Sequence, residues 1–380
     1  MKSLKSVLAK CTVVIVLTLC LLVSICGCTS QTQSVQTAEK TGKLEFATGF
    51  KIEYLKDGCK KLTDGEGRDL LLVPRGQKPP AGYENALKIE IPVRKVVTCS
   101  TTQAAFLKPL GVLSSIAGVT TEEKHWYIDE VKKAMEKGGI AYLGKNTAMD
   151  YEKLQALRPD VVFIYTKTPG MSEVLQKLNE LGIPVAVDNE YLEEHPLARM
   201  EWVKFLAAFY DKEKEADSFF NQAVKRAKGV EEKTAGAKVK PKVLWGSFSQ
   251  GKVYVPRADS YVAKMIAMAG GDYLFKDQAG TGSAAITLEE FYARGKEADI
   301  YISSTSPNYG VTSIQKIIEQ GEVLSGLNTV KEGKVWCFQP WYWQALDKTD
   351  EQIEDLAAII HPELYPGYKL KHFLKLPEKK

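Results

Sequence analysis

Cysteine is scarce in this sequence, and its positions exclude two common kinds of stabilised domain. Seven cysteines occur in 380 residues, and four of them lie within the first 28 positions. The others are Cys59, Cys99 and Cys337. An odd number of widely separated cysteines indicates neither a disulfide framework nor a zinc site. The four histidines are also scattered, so the pattern does not predict a metal held by the chain's own side chains.

Catalytic motifs and blocks of one charge are missing as well. The sequence has no G-x-S-x-G, Walker A or H-E-x-x-H pattern, which argues against the common hydrolase and nucleotide-binding sites. The stretch "GTGSAA" (280–285) formally matches G-x-G-x-x-A, but no clear strand precedes it. With 51 Lys+Arg against 47 Asp+Glu, and no basic block beyond the terminal "PEKK", nucleic-acid binding is not predicted. A binding protein is favoured over an enzyme.

The hydrophobic run at the N-terminus is short. Three lysines precede residues 13–25, "VVIVLTLCLLVSI", a length that fits a secretory signal and not a membrane span. The following "ICGC" resembles the lipobox of bacterial or archaeal lipoproteins. The resemblance implies a signal peptide over 1–27, a lipid anchor on Cys28, a flexible tether over 28–42 and an extracytoplasmic, membrane-attached protein. The alternative is an ordinary signal peptide that happens to end in cysteine.

Strands and helices alternate along the remaining chain, and they do so twice in the same order. "RKVVTCSTTQAAFLKPLG" and "KVLWGSFSQGKVYVPRADSYVAKMIAMAGG" each read as strand, polar loop and helix ending at glycine. "DYEKLQALRPDVVFIY" and "TLEEFYARGKEADIYIS" each read as a short helix followed by a buried strand. Such alternation predicts parallel sheets with right-handed crossovers. We therefore predict an α/β fold with two Rossmann-like lobes, 95–195 and 240–345.

A long helix is predicted between the lobes, over residues 211–237. Apolar residues recur there at three- and four-residue intervals, the spacing of one helical face, and Asp211 is a plausible N-cap. A helix of about 24 residues spans roughly 36 Å, so residues 196–239 are predicted to form a stiff backbone linker. Polar/apolar alternation with Asp-Gly and Gly-Glu-Gly turns predicts a small antiparallel β-ribbon over 43–94, and a C-terminal helix and tail over 346–380 complete the chain.

Residues 90–365 resemble the periplasmic-binding-protein family whose two lobes are joined by one long helix. The matching stretches include "IPVRKVVTCSTTQAAFLKPLG", "YEKLQALRPDVVFIY", "ELGIPVAVDN", "ITLEEFYARGKEADIYI" and "LAAIIHPELYP". Members are the solute receptors of ABC importers for ferric siderophores, haem and cobalamin. The resemblance implies a monomeric, non-enzymatic receptor with no intrinsic cofactor. Its partners would be a permease, an ATPase and a small-molecule metal complex.

A cleft between the lobes is expected to hold this cargo, because ligands of doubly wound sheets sit beyond the carboxyl ends of the strands. The loop "PWYWQ" (340–344) follows a predicted strand, and its rings suit a large, partly planar ligand. At least one of these rings is expected to line the site; the alternative is that they cap the core. The candidate ligand-binding residues are Thr102, Gln103, Trp126, Trp245, Arg257, Tyr309, Trp341, Tyr342 and Trp343.

Two glutamates carry a further expectation from the resemblance. The family docks on its permease through one acidic residue on each lobe, and Glu152 and Glu289 match both the motif and the internal repeat. The alternative reading is that they are ordinary first-turn acids that complement a helix dipole. Two other functions stay open at this point. One is a receptor for free metal ions, although only His125 lies near the expected cleft; the other is a structural lipoprotein whose cleft is filled by its own side chains.

Overall fold

The computed structural model describes residues 40–83 and 86–378. The signal peptide, Cys28 and most of the tether therefore lie outside the described residues. The first element is a five-stranded sheet in sequential order. Its strands are β1 (Lys40–Thr41), β2 (Lys51–Tyr54), β3 (Lys60–Thr63), β4 (Asp69–Pro74) and β5 (Leu87–Ile91).

This N-terminal sheet is larger than the ribbon expected from the sequence. Strands β1 to β4 pair antiparallel, as the turn residues indicate, but β4 and β5 are parallel. A parallel neighbour needs a crossover of about a dozen residues, and the separation of Pro74 from Leu87 provides it. The antiparallel prediction is thus wrong for the last pair.

The first lobe is a parallel sheet covered by helices, as predicted. Its strand order is β12-β11-β6-β7-β8, and every pair in it is parallel. Strands β9 and β10 form a separate two-stranded ladder. The elements are β6 (Val96–Thr98), α1 (Thr101–Leu107), β7 (Ile116–Val119), α2 (Asp129–Glu136), β8 (Ala141–Tyr142), β9 (Gly144–Lys145), β10 (Ala148–Met149), α3 (Tyr151–Leu157), β11 (Val161–Ile164), α4 (Met171–Glu180) and β12 (Val185–Val187).

Three helices form the linker: α5 (Pro196–Glu201), α6 (Val203–Ala208) and α7 (Glu213–Ala235). The long helix expected from the apolar spacing is confirmed over 23 residues, about 34 Å. Its predicted N-cap is wrong. Lys212 holds that position, whereas Asp211 has a left-handed φ of 56° and its Oδ1 accepts a 2.7 Å hydrogen bond from Lys60.

The second lobe mixes parallel and antiparallel strands. Its order is β16-β14-β13-β17-β18-β19, with β15 beside the start of β13. The elements are β13 (Lys242–Ser249), β14 (Lys252–Pro256), α8 (Tyr261–Met268), β15 (Asp272–Tyr273), β16 (Ser283–Ile286), α9 (Leu288–Gly295), β17 (Ile300–Ser303), α10 (Ile314–Ile318), α11 (Asn328–Lys331), β18 (Val335–Phe338), α12 (Thr349–Ile360) and β19 (Phe373–Lys375).

Two segments of this lobe differ from the expectation. The polar loop predicted after Trp245 is a β-hairpin of β13 and β14. Gln250 and Gly251 turn it with φ values of 52° and 73°, as two-residue hairpin loops require. The C-terminal tail belongs to the lobe, because β19 pairs antiparallel with β18.

A continuous core explains why the linker is stiff. The face of α7 that carries Ala216, Phe220, Ala223 and Ala227 is buried, and it packs against α6, α8 and α12. Buried apolar side chains continue from the N-terminal sheet through the linker into the second lobe. The opposite face of the first-lobe sheet has a separate core. Bending α7 would therefore expose the apolar surface of this buried face.

Two buried glutamates attach the N-terminal sheet to the linker. The carboxylate of Glu201, at the end of α5, accepts hydrogen bonds from the backbone N–H groups of Glu45, Phe46 and Ala47 at 2.8–2.9 Å. Glu193 accepts from the N–H of Gly49 at 2.8 Å and from the indole of Trp202 at 2.9 Å. Residues 45–49 have no neighbouring strand for these N–H groups, so the carboxylates replace one.

Candidate functional site

A cavity of about 450 Å³ lies between the lobes. On the first-lobe side, its walls come from the loops that follow β6, β11 and β12. On the second-lobe side, they come from Tyr261 at the start of α8, from Gly282 and Ser283 at β16, and from Trp343 after β18. The carboxyl ends of the parallel strands β6, β11 and β12 in the first lobe and of β18 in the second thus lead into the cavity, which lies where the cleft was expected.

A second cavity of about 460 Å³ adjoins the first, and Thr101 and Trp343 line both. Its walls include Tyr142, Lys145 and Tyr309. Both volumes lie within the range of small-molecule sites, about 300–1,000 Å³. Trp343 stands where the two cavities meet.

The first-lobe wall contains a helix start that the sequence encodes locally. Ser100 is the N-cap of α1, and its side chain and that of Gln103 form a capping box. Gln103 was expected to contact the ligand, and this is wrong. Its side chain is buried, and its Oε1 accepts from the N–H groups of Cys99 and Ser100 at 3.0 and 3.1 Å. Thr102 does line the cavity, with its hydroxyl 2.7 Å from that of Ser100.

The floor of the first cavity is a buried group of charged residues. Glu190 and Arg199 are 4% and 5% exposed, and both Nε and Nη2 of Arg199 lie 2.8 Å from the same carboxylate oxygen of Glu190. The guanidinium also lies 4.2 Å from the ring centre of Tyr261, a cation–π distance. An ion pair so far removed from water depends on this exact pairing of partners for its stability.

Asp188 lies beside this pair, and one of its oxygens has no partner. Its Oδ1 accepts from the N–H of Glu190 at 3.2 Å, but Oδ2 is buried without a hydrogen bond. Removal from water and the neighbouring Glu190 raise the pKa of Asp188 well above its usual value. The carboxyl group lines the cavity, so a bound molecule would meet it.

The aromatic loop divides between core and cleft. Tyr342 is 4% exposed and stacks on Phe338 with ring centres 3.8 Å apart, so its expected ligand contact is wrong. Trp343 is 40% exposed and lines both cavities. Trp341, 38% exposed, lies 6.4 Å from the ring of Tyr127 and lines neither cavity.

Two further tryptophans expected at the cleft are buried instead. Trp126 is 2% exposed, and its indole donates to the carbonyl of Thr121 at 3.1 Å. Trp245 is 1% exposed and packs between Phe338 and Phe373. A strand that is covered on both faces leaves no side open to the cleft. Both positions are therefore corrections to the predicted site.

Arg257 and Tyr309 have different outcomes. The Nη1 of Arg257 donates to the carbonyl of Ala279 at 2.9 Å, and its side chain lines neither cavity. The backbone N–H of Arg257 also donates to the carbonyl of Gly282. Arg257 therefore stabilises the 279–282 loop through both its side chain and its backbone. Tyr309 is 73% exposed and lines the second cavity.

The lobes touch at one edge of the cleft. Gln344 accepts from the N–H of Tyr127 at 2.8 Å and donates to the carbonyl of His125 at 2.6 Å. Asn308 donates to the hydroxyl of Tyr127 at 2.7 Å. These bonds join the second lobe to the loop after β7 and fix the width of the second cavity.

The N-terminal sheet supports the cleft wall from behind. Its turn at Asp64–Arg68 continues the first-lobe sheet edge: Gly65 donates to the carbonyl of Val187 at 2.9 Å. Glu66 pairs with Lys167 at 2.8 Å and accepts from the hydroxyl of Thr166. A Cβ at Gly65 would lie 2.9 Å from that of Asn189, so only glycine fits there. The turn thus holds the loops that carry Tyr165 and Asp188.

The sequence predicts that the loop 189–191, which contains Glu190, lines the cleft, but it gives none of the floor residues a role. Asp188 and Glu190 directly follow the buried strand in "PVAVDNE", and charged residues at that point are a usable signal. Ser283 lies within "GTGSAA", which was set aside as a weak nucleotide motif. Arg199 and Tyr261 reach the cleft from α5 and α8, and no local pattern indicates this.

The remaining sequence expectations are placed as follows. Cys59, Cys99 and Cys337 are buried free thiols. Within residues 40–83 and 86–378, no three metal-ligating side chains cluster. No helix in the same ranges is long and apolar enough to cross a membrane. Glu152 and Glu289 are exposed and hold matching positions, second in α3 and α9, after the N-caps Asp150 and Thr287.

Comparison with known proteins gives relatives of the same size. An uncharacterized lipoprotein of Methanocaldococcus jannaschii is 37% identical over 329 residues, which cover 83% of this chain and 78% of the relative. A second lipoprotein of that organism is 28% identical over 366 residues, or 91% of this chain and 90% of the relative.

Solved structures show the same fold at low sequence identity. A possible iron-binding solute-binding protein of Staphylococcus epidermidis superposes with a TM-score of 0.56 at 19% identity, covering 71% of this chain and 99% of that one. A periplasmic heme-binding protein of Pseudomonas aeruginosa gives 0.57 at 17% identity, covering 75% and 96%. A molybdate-binding protein of Haemophilus influenzae gives 0.60 at 15% identity, covering 82% and 94%. The family model for periplasmic binding proteins matches residues 96–340. The chain therefore belongs to the periplasmic binding protein family, the extracytoplasmic solute-binding proteins of ABC transporters.

Proposed function

We propose that this protein captures a metal complex, an iron chelate, haem or a corrinoid, and delivers it to the permease of an ABC importer. The observation that carries the proposal is the cavity between the carboxyl ends of two sheets, lined by an exposed tryptophan and held by a buried linker helix. The arrangement suits binding of a ligand without breaking or forming a covalent bond. The ligand would lie between the cleft walls of the two lobes, whose spacing α7 maintains.

The ring content of the cleft favours a bulky, partly planar cargo. Tyr165, Tyr191 and Tyr261 line the first cavity together with Trp343. Aromatic side chains bury large areas and lose few rotamers on binding, so they provide a favourable contact surface for a planar or apolar ligand. The solved relatives titled heme-binding or iron-binding support the same class of cargo.

Tryptophan fluorescence tests the proposal on the protein that lacks residues 1–28. Ferric siderophores, haemin and cobinamide are titrated in turn, and one class is expected to quench the emission saturably. Trp343→Phe should remove most of that quenching. It should also weaken binding about tenfold, because the smaller phenyl ring offers less contact area to the ligand than the indole does.

Trp341→Phe is the matched control, because Trp341 is equally exposed but lines neither cavity. It should leave the affinity unchanged. A protein that responds to none of the three classes would contradict the proposed function.

A lipid anchor on Cys28 is proposed to keep the receptor at the outer face of the membrane. The two relatives named lipoproteins support this. Cys28→Ser is expected to move the full-length chain from the membrane fraction to the soluble fraction. Retention of the variant in the membrane fraction would argue for a different attachment.

Docking on the permease is proposed to use Glu152 and Glu289. Each is an exposed carboxylate at a helix start on its own lobe, and such groups form charge-assisted contacts with arginine. Charge reversal, Glu152→Lys or Glu289→Lys, is expected to lower stimulation of the transporter's ATPase about tenfold without affecting cargo affinity.

Glu173→Lys is the control for this experiment. Glu173 is also an exposed first-turn acid, on α4, so its replacement carries the same loss of favourable dipole interaction. Equal effects from all three substitutions would show that Glu152 and Glu289 have no special role in docking.

A further inference from the structure

The floor of the cleft has an incomplete set of charges. Two carboxyl groups, Asp188 and Glu190, face one guanidinium, Arg199. Glu190 already receives both Nε and Nη2 of that guanidinium. The Oδ2 of Asp188 has no partner although the side chain is 2% exposed. Buried carboxyl oxygens are normally hydrogen-bonded, so this one is explained by a partner that arrives with the ligand.

The other groups near Asp188 do not supply that partner. The tyrosines that line the same cavity are Tyr165, Tyr191 and Tyr261. The hydroxyl of Tyr191 donates to the carbonyl of Thr166, and that of Tyr165 lies 2.9 Å from the amide of Asn146. Lys167 is paired with Glu66, and Lys264 with Glu194. Tyr261 lies under the guanidinium of Arg199. None of these side chains forms a hydrogen bond with Oδ2 of Asp188.

We propose that Asp188 recognises a positively charged group of the cargo, such as a primary ammonium on the rim of a metal complex. The inference rests on the proposed function and narrows the class of cargo. With one cation of the cargo beside Asp188, the two carboxylates of Asp188 and Glu190 are balanced by that cation and by Arg199. An anionic rim would instead meet Glu190 and Asp188, where like charges cost binding energy.

The inference also fixes the direction of a pH dependence. In the empty cleft, burial and Glu190 keep Asp188 protonated beyond the usual range of an aspartate, and Arg199 opposes this only in part. Binding a cation favours the ionised form, so a proton leaves when the cargo enters. Burial raises the pKa of Tyr191 and Tyr261, so neither ionises near neutral pH. Affinity for a cationic cargo should therefore rise with pH until Asp188 is ionised in the empty protein.

Matched pairs of metal complexes test the inference by fluorescence titration. Ferrioxamine B carries one pendant ammonium, and its N-acetyl form lacks it. Haemin carries two carboxylates, and its bis(aminoethyl)amide carries two ammonium groups. The cationic member of a pair is expected to bind at least about tenfold more tightly, the effect of one charge-assisted hydrogen bond in a buried site. Its affinity should increase with pH until Asp188 is ionised in the cargo-free protein.

Asp188→Asn should abolish the preference, so that the two members of each pair bind with similar affinity. Asparagine retains an oxygen for the N–H of Glu190, and circular dichroism together with urea unfolding shows whether the variant is folded. Equal or tighter binding of the uncharged or anionic members, an affinity that falls with pH, or a preference that survives in Asp188→Asn would overturn the inference and leave the receptor function standing. If neither these four complexes nor cobinamide binds, both the inference and the proposed function are overturned.

Discussion

Replacing Arg199 with methionine is expected to lower the free energy of unfolding by about 3–4 kcal/mol. The substitution leaves the carboxylate of Glu190, 4% exposed, without its hydrogen bond from Nε and without a balancing charge. Breaking a buried ion pair by removing one partner costs about 3–5 kcal/mol in other proteins. Urea unfolding followed by circular dichroism measures the change on the protein that lacks residues 1–28.

Two comparisons show whether the lost pairing is the cause. The double variant Arg199→Met with Glu190→Leu should recover most of the loss, because no uncompensated charge remains. Lys316→Met is the exposed counterpart: its side chain is 47% exposed and pairs with that of Glu319, which is 49% exposed, and such pairs contribute less than about 1 kcal/mol. A double variant as unstable as the single one would show that Arg199 matters through packing on Tyr261 instead.

Replacing Glu201 with alanine is expected to destabilise the protein by about 3 kcal/mol and to loosen the N-terminal sheet. Its side chain is fully buried, and the backbone N–H groups of Glu45, Phe46 and Ala47 would lose their acceptor. Each buried donor left without a partner costs about 1–3 kcal/mol, and partial access of water offsets some of the sum. Urea unfolding gives the global effect, and hydrogen exchange of residues 45–47 gives the local one.

Exchange should accelerate in residues 45–47 and much less in the first-lobe sheet. Glu215→Ala, which removes an exposed carboxylate paired with Lys212 on α7, should change stability by less than about 0.5 kcal/mol. Unaltered exchange at residues 45–47 in the Glu201 variant would mean that the segment is held by the side chain of Phe46 and its neighbours instead.

Elements that depend on short-range pattern were predictable. The apolar repeat of α7 gave a helix that starts two residues later than its predicted N-cap. The repeated strand–helix units gave the parallel strands of both lobes. The same units placed Glu152 and Glu289 at equivalent helix positions, although their role in docking stays a prediction.

Individual cleft residues were predictable only where they follow the carboxyl end of a strand that stops at the cleft. Thr102 and Trp343 follow strand ends and reach the cleft. Trp245 lies on a comparable segment, yet β13 continues past it into a hairpin and both faces of the strand are covered. The hairpin turn at Gln250–Gly251 involves neighbouring residues only. The pairing of β14 with β16 joins residues that are distant in sequence.

The sequence by itself determined the elements, their order, the two lobes and the end of each sheet that faces the cleft, because hydrophobic periodicity and strand–helix alternation act over a few residues. Only the tertiary structure decided which side chains form the floor. Three different elements contribute Glu190, Arg199 and Tyr261. No local sequence pattern predicts how α5 packs against α8. The mutual burial of their charges is a property of that packing, since a carboxylate and a guanidinium acquire their altered energies only after neighbouring elements exclude water from both.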